Sequence, residues 1–364
     1  MADILEFPGF VDVHVHFRDP GMAEAETRAS GALAAARGGF AAVVTMPNTV
    51  PAGDSPAWIR EQIDDASLPV AIFPSACITK GRAGREVADL EALAEAGAAF
   101  FTDDGAYVAD DRVMEEAMRR AADLAMCICE HAMDPRELAG GVIRDCPLAR
   151  RLGLPVVSVE TETVAIRRDL SLCRETGCRL HIQHISTAEG VELVREAQRE
   201  GLPVTAEATP HHLLFACEEI PADDANYKMA PPLGNREDRA ELRRAVKDGV
   251  LMFATDHAPH PAAAKARGFA QSANGIIGLE TAIPATYRAM VEEEGMDVAA
   301  WARAWWEMPR SIVRDAAGRF AGIRSTRIET GVPRSVDAAA FASLSRNCPY
   351  GGLVFDCWPV PALA

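Results

Sequence analysis

Nine histidines occur in the 364-residue sequence, at positions 14, 16, 131, 181, 184, 211, 212, 257 and 260, and none lies in the last hundred residues. Most stand close to a carboxylate or to each other: Asp12-Val-His-Val-His16, Glu130-His131, His181-Ile-Gln-His184, His211-His212 and Asp256-His-Ala-Pro-His260. Asp103-Asp104 adds two more carboxylates. Imidazole with carboxylate suits zinc, and also manganese, cobalt or iron. An H-x-H pair on a strand points both rings to one face, because strand side chains repeat every two residues. Four histidines and two aspartates match two ions sharing a bridging carboxylate and a bridging hydroxide, which typically stand roughly 3.5–4 Å apart.

Such a site needs elements that bring distant residues together. Short apolar runs at 10–16, 41–46, 70–78, 98–103, 126–130, 179–184, 204–208 and 250–255 read as strands buried on both faces. Helical periodicity lies between them, at 23–36, 55–66, 84–96, 111–124, 160–175, 187–200 and 236–247, with a further helix at 279–294. This alternation predicts an α/β fold, a (β/α)8 TIM barrel, whose chemistry sits at the C-terminal ends of the strands. An open doubly wound sheet is the runner-up, and no G-x-G-x-x-G follows the first strand to support it. The strand ends then carry His14 and His16, Asp103-Asp104, Glu130-His131, His181 and His184, His211-His212, and Asp256, His257 and His260. Further helices are expected at 298–306 and 310–317, and beyond Gly318 the chain reads as loop and short strands. The expected organisation is a barrel domain over 1–317 and a C-terminal extension over 318–364.

The formal charge of -16 argues against nucleic-acid binding, since phosphate backbones would be repelled. The composition, 49% hydrophobic and 25% charged, is that of a globular chain with ample core. Nine scattered cysteines without a CxxC pair read as reduced core residues of a cytoplasmic protein. The N-terminus lacks the basic and apolar regions of a signal peptide, and no run is long enough for a membrane span.

Pro8-Gly-Phe-Val-Asp-Val-His-Val-His-Phe-Arg-Asp-Pro-Gly21 resembles the amidohydrolase superfamily, and its Phe-Arg-Asp-Pro-Gly part resembles dihydroorotases. Met46-Pro-Asn-Thr49, Phe101-Thr-Asp-Asp-Gly105, His181-Ile-Gln-His-Ile-Ser186, Ala254-Thr-Asp-His-Ala-Pro-His260 and Gly275-Ile-Ile-Gly-Leu-Glu-Thr281 extend the likeness, which runs from residue 7 to 350 and is greatest to the bacterial class I type. The resemblance implies His14 and His16 as ligands of one zinc ion, His131 and His184 as ligands of a second, and Asp104 as the bridge. It implies Asp256 as both ligand and catalytic proton carrier. Arg18, Asn48 and His260 would bind a substrate carboxylate, with His16, Asn274 and Gly275 also touching substrate. Arg18 lies two residues beyond His16, which places it on the ligand side, where a guanidinium can pair with a carboxylate.

Three features depart from the family pattern. The first barrel strand begins almost at residue 10, so the flanking β-sandwich is expected to be absent or vestigial, with 318–364 a remnant of it. Ala230-Pro-Pro-Leu233 has alanine where the family has asparagine, and Asn274 stands where an aromatic residue is common. The resemblance implies reversible hydrolysis of L-dihydroorotate to N-carbamoyl-L-aspartate in pyrimidine (UMP) biosynthesis, through a metal-bridging hydroxide. The alternatives are a hydantoinase or allantoinase type of cyclic amidohydrolase, which the Arg18–Asn48 pair disfavours, and a non-catalytic partner of aspartate transcarbamoylase, which would have no need of six intact ligands. A homodimer and an aspartate transcarbamoylase complex are the candidate partnerships, beside the small-molecule substrate. Asp103 competes with Asp104 for the ligand role. His181 is expected to face away from the site, and His211, His212 and His257 to support the site or the fold.

Overall fold

The apolar runs form parallel strands wherever both faces can be covered by the helices that follow them. In the computed structural model, which describes residues 3–63 and 67–360, the strands are β1 (Asp3–Phe7), β2 (Phe10–Val15), β3 (Phe40–Thr45), β4 (Ala71–Pro74), β5 (Cys127–Glu130), β6 (Arg179–Ile182), β7 (Val204–Ala208), β8 (Leu251–Phe253), β9 (Thr326–Ser335) and β10 (Val354–Pro359). Two parallel sheets, β2-β3-β4 and β5-β6-β7-β8, make up most of the barrel.

The sheets meet at two seams. At one, the strand expected over 98–103 is reduced to bridges from Phe101 to Ala76 and to Ile128. Backbone bonds still run on both sides, from Ala76 N to Phe100 O at 3.0 Å and from Phe101 N to Cys127 O at 3.1 Å. The ladder stops because the Asp103 carboxylate takes the amides of Ile78 and Thr79 that would continue it. At the other seam, Val15 bridges His257, and His16 N donates to His257 O at 2.8 Å. There the Asp12 carboxylate accepts from the Thr255 amide at 3.0 Å and from its hydroxyl at 2.5 Å. A buried aspartate thus seals each seam, and the eight-stranded barrel closes.

Val11, Val13, Ala42, Val44, Phe73, Phe100, Cys127, Cys129 and Met252 fill the barrel interior. A larger shell between strands and helices is anchored by Phe10, Phe40, Phe253, Trp301 and Trp305. All nine cysteines are free and buried.

Several helix boundaries differ from expectation. The first barrel helix is Arg28–Arg37 rather than 23–36, because Thr27 and Ser30 form a capping box that fixes its start. The helix expected over 84–96 begins at Leu90, capped by Asp89. The two helices expected at 298–306 and 310–317 are one, Val298–Ile312, which continues through Pro309 while Trp301 and Trp305 bury on the core side. It ends where Val313 turns extended and Arg314 N bonds Ala99 O. The 279–294 helix is Ala282–Thr286 followed by a wider turn over Tyr287–Glu292. The helix expected over 55–66 is Pro56–Ile63, and its last three positions lie outside the described residues, as do the last four of the 318–364 extension. The extension supplies β9 and β10, which form an antiparallel sheet with β1 in the order β1-β9-β10. No helix among the described residues is long and apolar enough to cross a membrane.

Candidate metal centre and its cavity

Strict alternation along β2 would send Val15 into the barrel after Val11 and Val13. The pairing of β2 with β3 instead shifts register between Asp12 and Val15. Val15 therefore joins the outer core, and His14 and His16 turn to the inside. His184 and Asp256, just past β6 and β8, adopt φ of 33° and 48°. Left-handed backbone is uncommon for residues with a Cβ, and here it falls on two expected ligands.

The six expected ligands meet at one point. Asp104 Oδ1 lies 3.3 Å from His14 Nε2, 3.6 Å from His131 Nδ1 and 3.7 Å from His184 Nε2. Its Oδ2 lies 3.3 Å from His16 Nε2. Asp256 Oδ1 is 2.9 Å from His16 Nε2 and 3.5 Å from His14 Nε2. His14, His16 and Asp256 form one group able to hold an ion, and His14, Asp104 and His184 form another. His14 Nε2 and Asp104 Oδ1 are fully buried with no hydrogen-bond partner among the described residues. Buried polar atoms without partners are costly unless something else coordinates them, so this donor set fits a divalent metal.

Burial acts most strongly on His14 and lowers its pKa, but Asp104 and Glu207 together hold the ring well above its ordinary range. For His16 and His131 burial dominates and the pKa falls. Asp104 and Asp256 resist burial, because the surrounding imidazoles hold both carboxyls well below their usual range.

Asp103 faces away from this cluster, toward Ile78 and Thr79, so it belongs to the seam and Asp104 to the site. His181, His212 and His257 also lie outside it. His212 reaches Thr209 and the Pro231 carbonyl, and His257 pairs with Glu26 at 3.2 Å. His211 is buried, with neither ring nitrogen hydrogen-bonded among the described residues.

Glu207, in β7, was not singled out in the sequence. It is 1% exposed and accepts from His14 Nδ1 at 2.6 Å, from His181 Nε2 at 2.9 Å and from the His184 amide at 3.2 Å. These contacts fix the His14 tautomer with Nε2 toward the cluster. They also hold the Glu207 carboxyl down at about 2 despite complete burial. A lone glutamate inside an apolar strand was the available signal.

Above the cluster opens a cavity of about 550 Å³. Arg18, Asn48, His260, Asn274 and Gly275 line it, as do Tyr107, Met133, Pro135 and Leu138. Ala230 also lines it. Asn48 Oδ1 accepts from His16 Nδ1 at 3.0 Å. Arg18 is 6% exposed, and its guanidinium makes a single hydrogen bond among the described residues, from Nε to Pro259 O at 3.2 Å. Burial pushes it down to about 10, so it stays cationic at neutral pH. A buried cation without a paired carboxylate invites an anionic ligand.

A cluster of candidate metal ligands at the C-terminal mouth of a (β/α)8 barrel is the arrangement of the amidohydrolase class. Known proteins narrow this. The dihydro-orotase-like family profile matches residues 4–190. A dihydroorotase of Bacillus caldolyticus is 45% identical over 363 residues, covering 97% of this chain and 84% of that protein. The chain belongs to the dihydroorotase family. Among solved structures, an L-hydantoinase from Arthrobacter aurescens matches with a TM-score of 0.83 at 25% identity, covering 98% of this chain and 83% of that one. The dihydroorotase of Saccharomyces cerevisiae in complex with 5-fluoroorotic acid has a TM-score of 0.76 at 16% identity, covering 99% and 100% of the two chains, and shares the fold.

Proposed function

We propose that this chain is a dihydroorotase, interconverting L-dihydroorotate and N-carbamoyl-L-aspartate in pyrimidine biosynthesis. The observation that carries the reading is the unpaired, buried Arg18 guanidinium in the same cavity as the metal cluster. A cyclic amide bearing a carboxylate meets both. A hydantoin lacking that carboxylate would leave Arg18 desolvated and unpaired.

His14 and His16 would hold one zinc ion, His131 and His184 a second, with Asp104 between them and Asp256 completing the set. Bound there, the metal supplies Lewis acidity that polarises an amide carbonyl and lowers the pKa of water. Arg18, Asn48 and His260 take the substrate carboxylate and set the ring against the cluster. Water adds to the ring amide carbonyl, Asp256 accepts its proton, and the ring C–N bond breaks. Asp256 then returns the proton to the leaving nitrogen, acting as base and then acid.

The same reading takes 1–317 as the catalytic barrel and 318–364 as what this chain has of the small β domain, with work in the cytoplasm. Native mass, with and without aspartate transcarbamoylase, separates a homodimer from a mixed assembly. The activity is tested on purified, zinc-loaded protein: opening of dihydroorotate and closure of carbamoyl aspartate are expected. Absence of both reactions refutes the assignment.

A further inference from the structure

The cavity wall that carries Asn274 and Gly275 is a loop. After β8 the chain makes two four-residue helical turns, Ala262–Lys265 and Gly268–Gln271, before returning at Asn274. Turns this short do not hold themselves in water. Two lysines hold these. Lys265 Nζ donates to three carbonyls, those of Lys228 at 3.1 Å, Ala273 at 2.9 Å and Gly275 at 2.9 Å. Lys228, 4% exposed, donates from Nζ to Ala270 O at 2.9 Å and Ser272 O at 2.8 Å. Gly275 N donates in turn to Lys228 O at 3.0 Å. The two carbonyls at 273 and 275 bracket Asn274, whose own carbonyl accepts from His260 Nε2 at 2.6 Å. Gly275 has φ +124°, and a Cβ there would come within 2.7 Å of Ala258 Cβ, so this approach requires glycine.

The choice of lysine is specific. Of 37 basic residues only four are lysines, at 80, 228, 247 and 265. Lys80 and Lys247 pair with Glu86 and Glu294 near the surface. Among the described residues, the ammonium groups of the other two hydrogen-bond only backbone carbonyls. An ammonium offers three rotatable donors that can meet converging oxygens, which a planar guanidinium cannot do in the same space.

We propose that Lys265 and Lys228 are positioning residues for the carboxylate end of the substrate site, forming an ammonium clamp that holds Asn274-Gly275 and the His260 ring in binding geometry. This rests on the reading that a substrate carboxylate docks at Arg18, Asn48 and His260. All three Lys265 donors are used on the backbone, so it acts through the loop and does not touch substrate.

The test compares Lys265→Met, Lys265→Arg and Lys228→Met with wild type, all zinc-loaded, by dihydroorotate kinetics and by amide hydrogen exchange over residues 266–276. Lys265→Met is expected to raise KM about tenfold while kcat changes less than about twofold, as for lost positioning of bound substrate. The amides of Ala273 and Gly275 should exchange faster, with metal content and Tm unchanged. Lys265→Arg should not restore KM. Wild-type KM and exchange in Lys265→Met would overturn the proposal, as would full rescue by Lys265→Arg, which would mean that only charge matters. If Lys265→Met does not fold, Lys265→Gln, which keeps two donors, is expected to give an intermediate KM, and a wild-type KM there overturns the clamp. If wild type fails to turn over dihydroorotate, the functional reading falls, while the exchange comparison still decides whether the lysines hold the loop.

Discussion

The floor and the wall of the cavity are built on different principles. Floor residues sit at strand ends, are almost fully buried, and are fixed by carboxylates: Glu207 on His14, and Asp12 and Asp103 at the seams beside His14 and Asp104. The wall at 260–275 sits on a loop and is fixed by side chains on its backbone, the ammonium groups of Lys228 and Lys265 together with the Asn347 amide and the Asp223 carboxylate. A floor anchored in the sheet cannot shift without opening the barrel. A wall anchored by side chains can be loosened one hydrogen bond at a time. Damage to the floor should therefore strike metal and turnover, and damage to the wall should strike substrate affinity.

The sharpest break comes from Asp256→Ala. Turnover is expected to fall by about 10²–10⁴-fold, the usual worth of a positioned acid–base group, with metal content kept by the remaining ligands. Turnover near wild type would remove Asp256 from the proton path. Glu207→Ala should weaken metal affinity by about 10–100-fold, as loss of the group orienting a ligating histidine does, measured by competition with a chelator. Unchanged affinity would make Glu207 a core residue only. Arg18→Met should raise the dihydroorotate KM by about 30-fold with metal affinity unaltered, reflecting one lost charge-assisted pair. A fall in metal affinity instead would erase the distinction between floor and wall.

The smallest effect is in pH. Burial, and then the neighbouring Lys228 charge, push Lys265 down to about 7 against the opposing charge of Asp224. Below that pH the ammonium keeps three donors, and above it the neutral amine has two. Between pH 7 and 9 the wild-type KM is expected to rise by a few-fold, about the worth of one hydrogen bond, while Lys265→Met stays flat. Parallel slopes in both proteins would assign the titration to another group.

The floor was legible in the sequence because its ligands are rare residue types placed where apolar runs end. The phase of β2 was not. Nothing in Val11-Asp-Val-His-Val-His16 announces the register shift that turns the histidines inward after two interior valines. Glu207 was missed because its partners, His14 and His181, lie 193 and 26 residues away. The wall was legible only in part. Asn274, Gly275 and His260 came from motif likeness, whereas Lys228 and Lys265 bond to main-chain carbonyls, and main chain leaves no trace in residue type. The fourth barrel strand and the Pro309 helix failed for a related reason: in each, a long-range contact overrode local preference, through Asp103 in one and through Trp301 and Trp305 in the other.

The seam at Asp12 joins residues 243 positions apart, and His14 and Asp256 face each other across it. Closing so long a loop carries an entropic cost in folding. An ion gripped by both residues would act as a latch on that closure, since whatever binds only the closed barrel stabilises it in proportion to the logarithm of its concentration over its dissociation constant. Metal supply would then govern how much of the newly made chain completes its barrel, as well as how fast the finished barrel works.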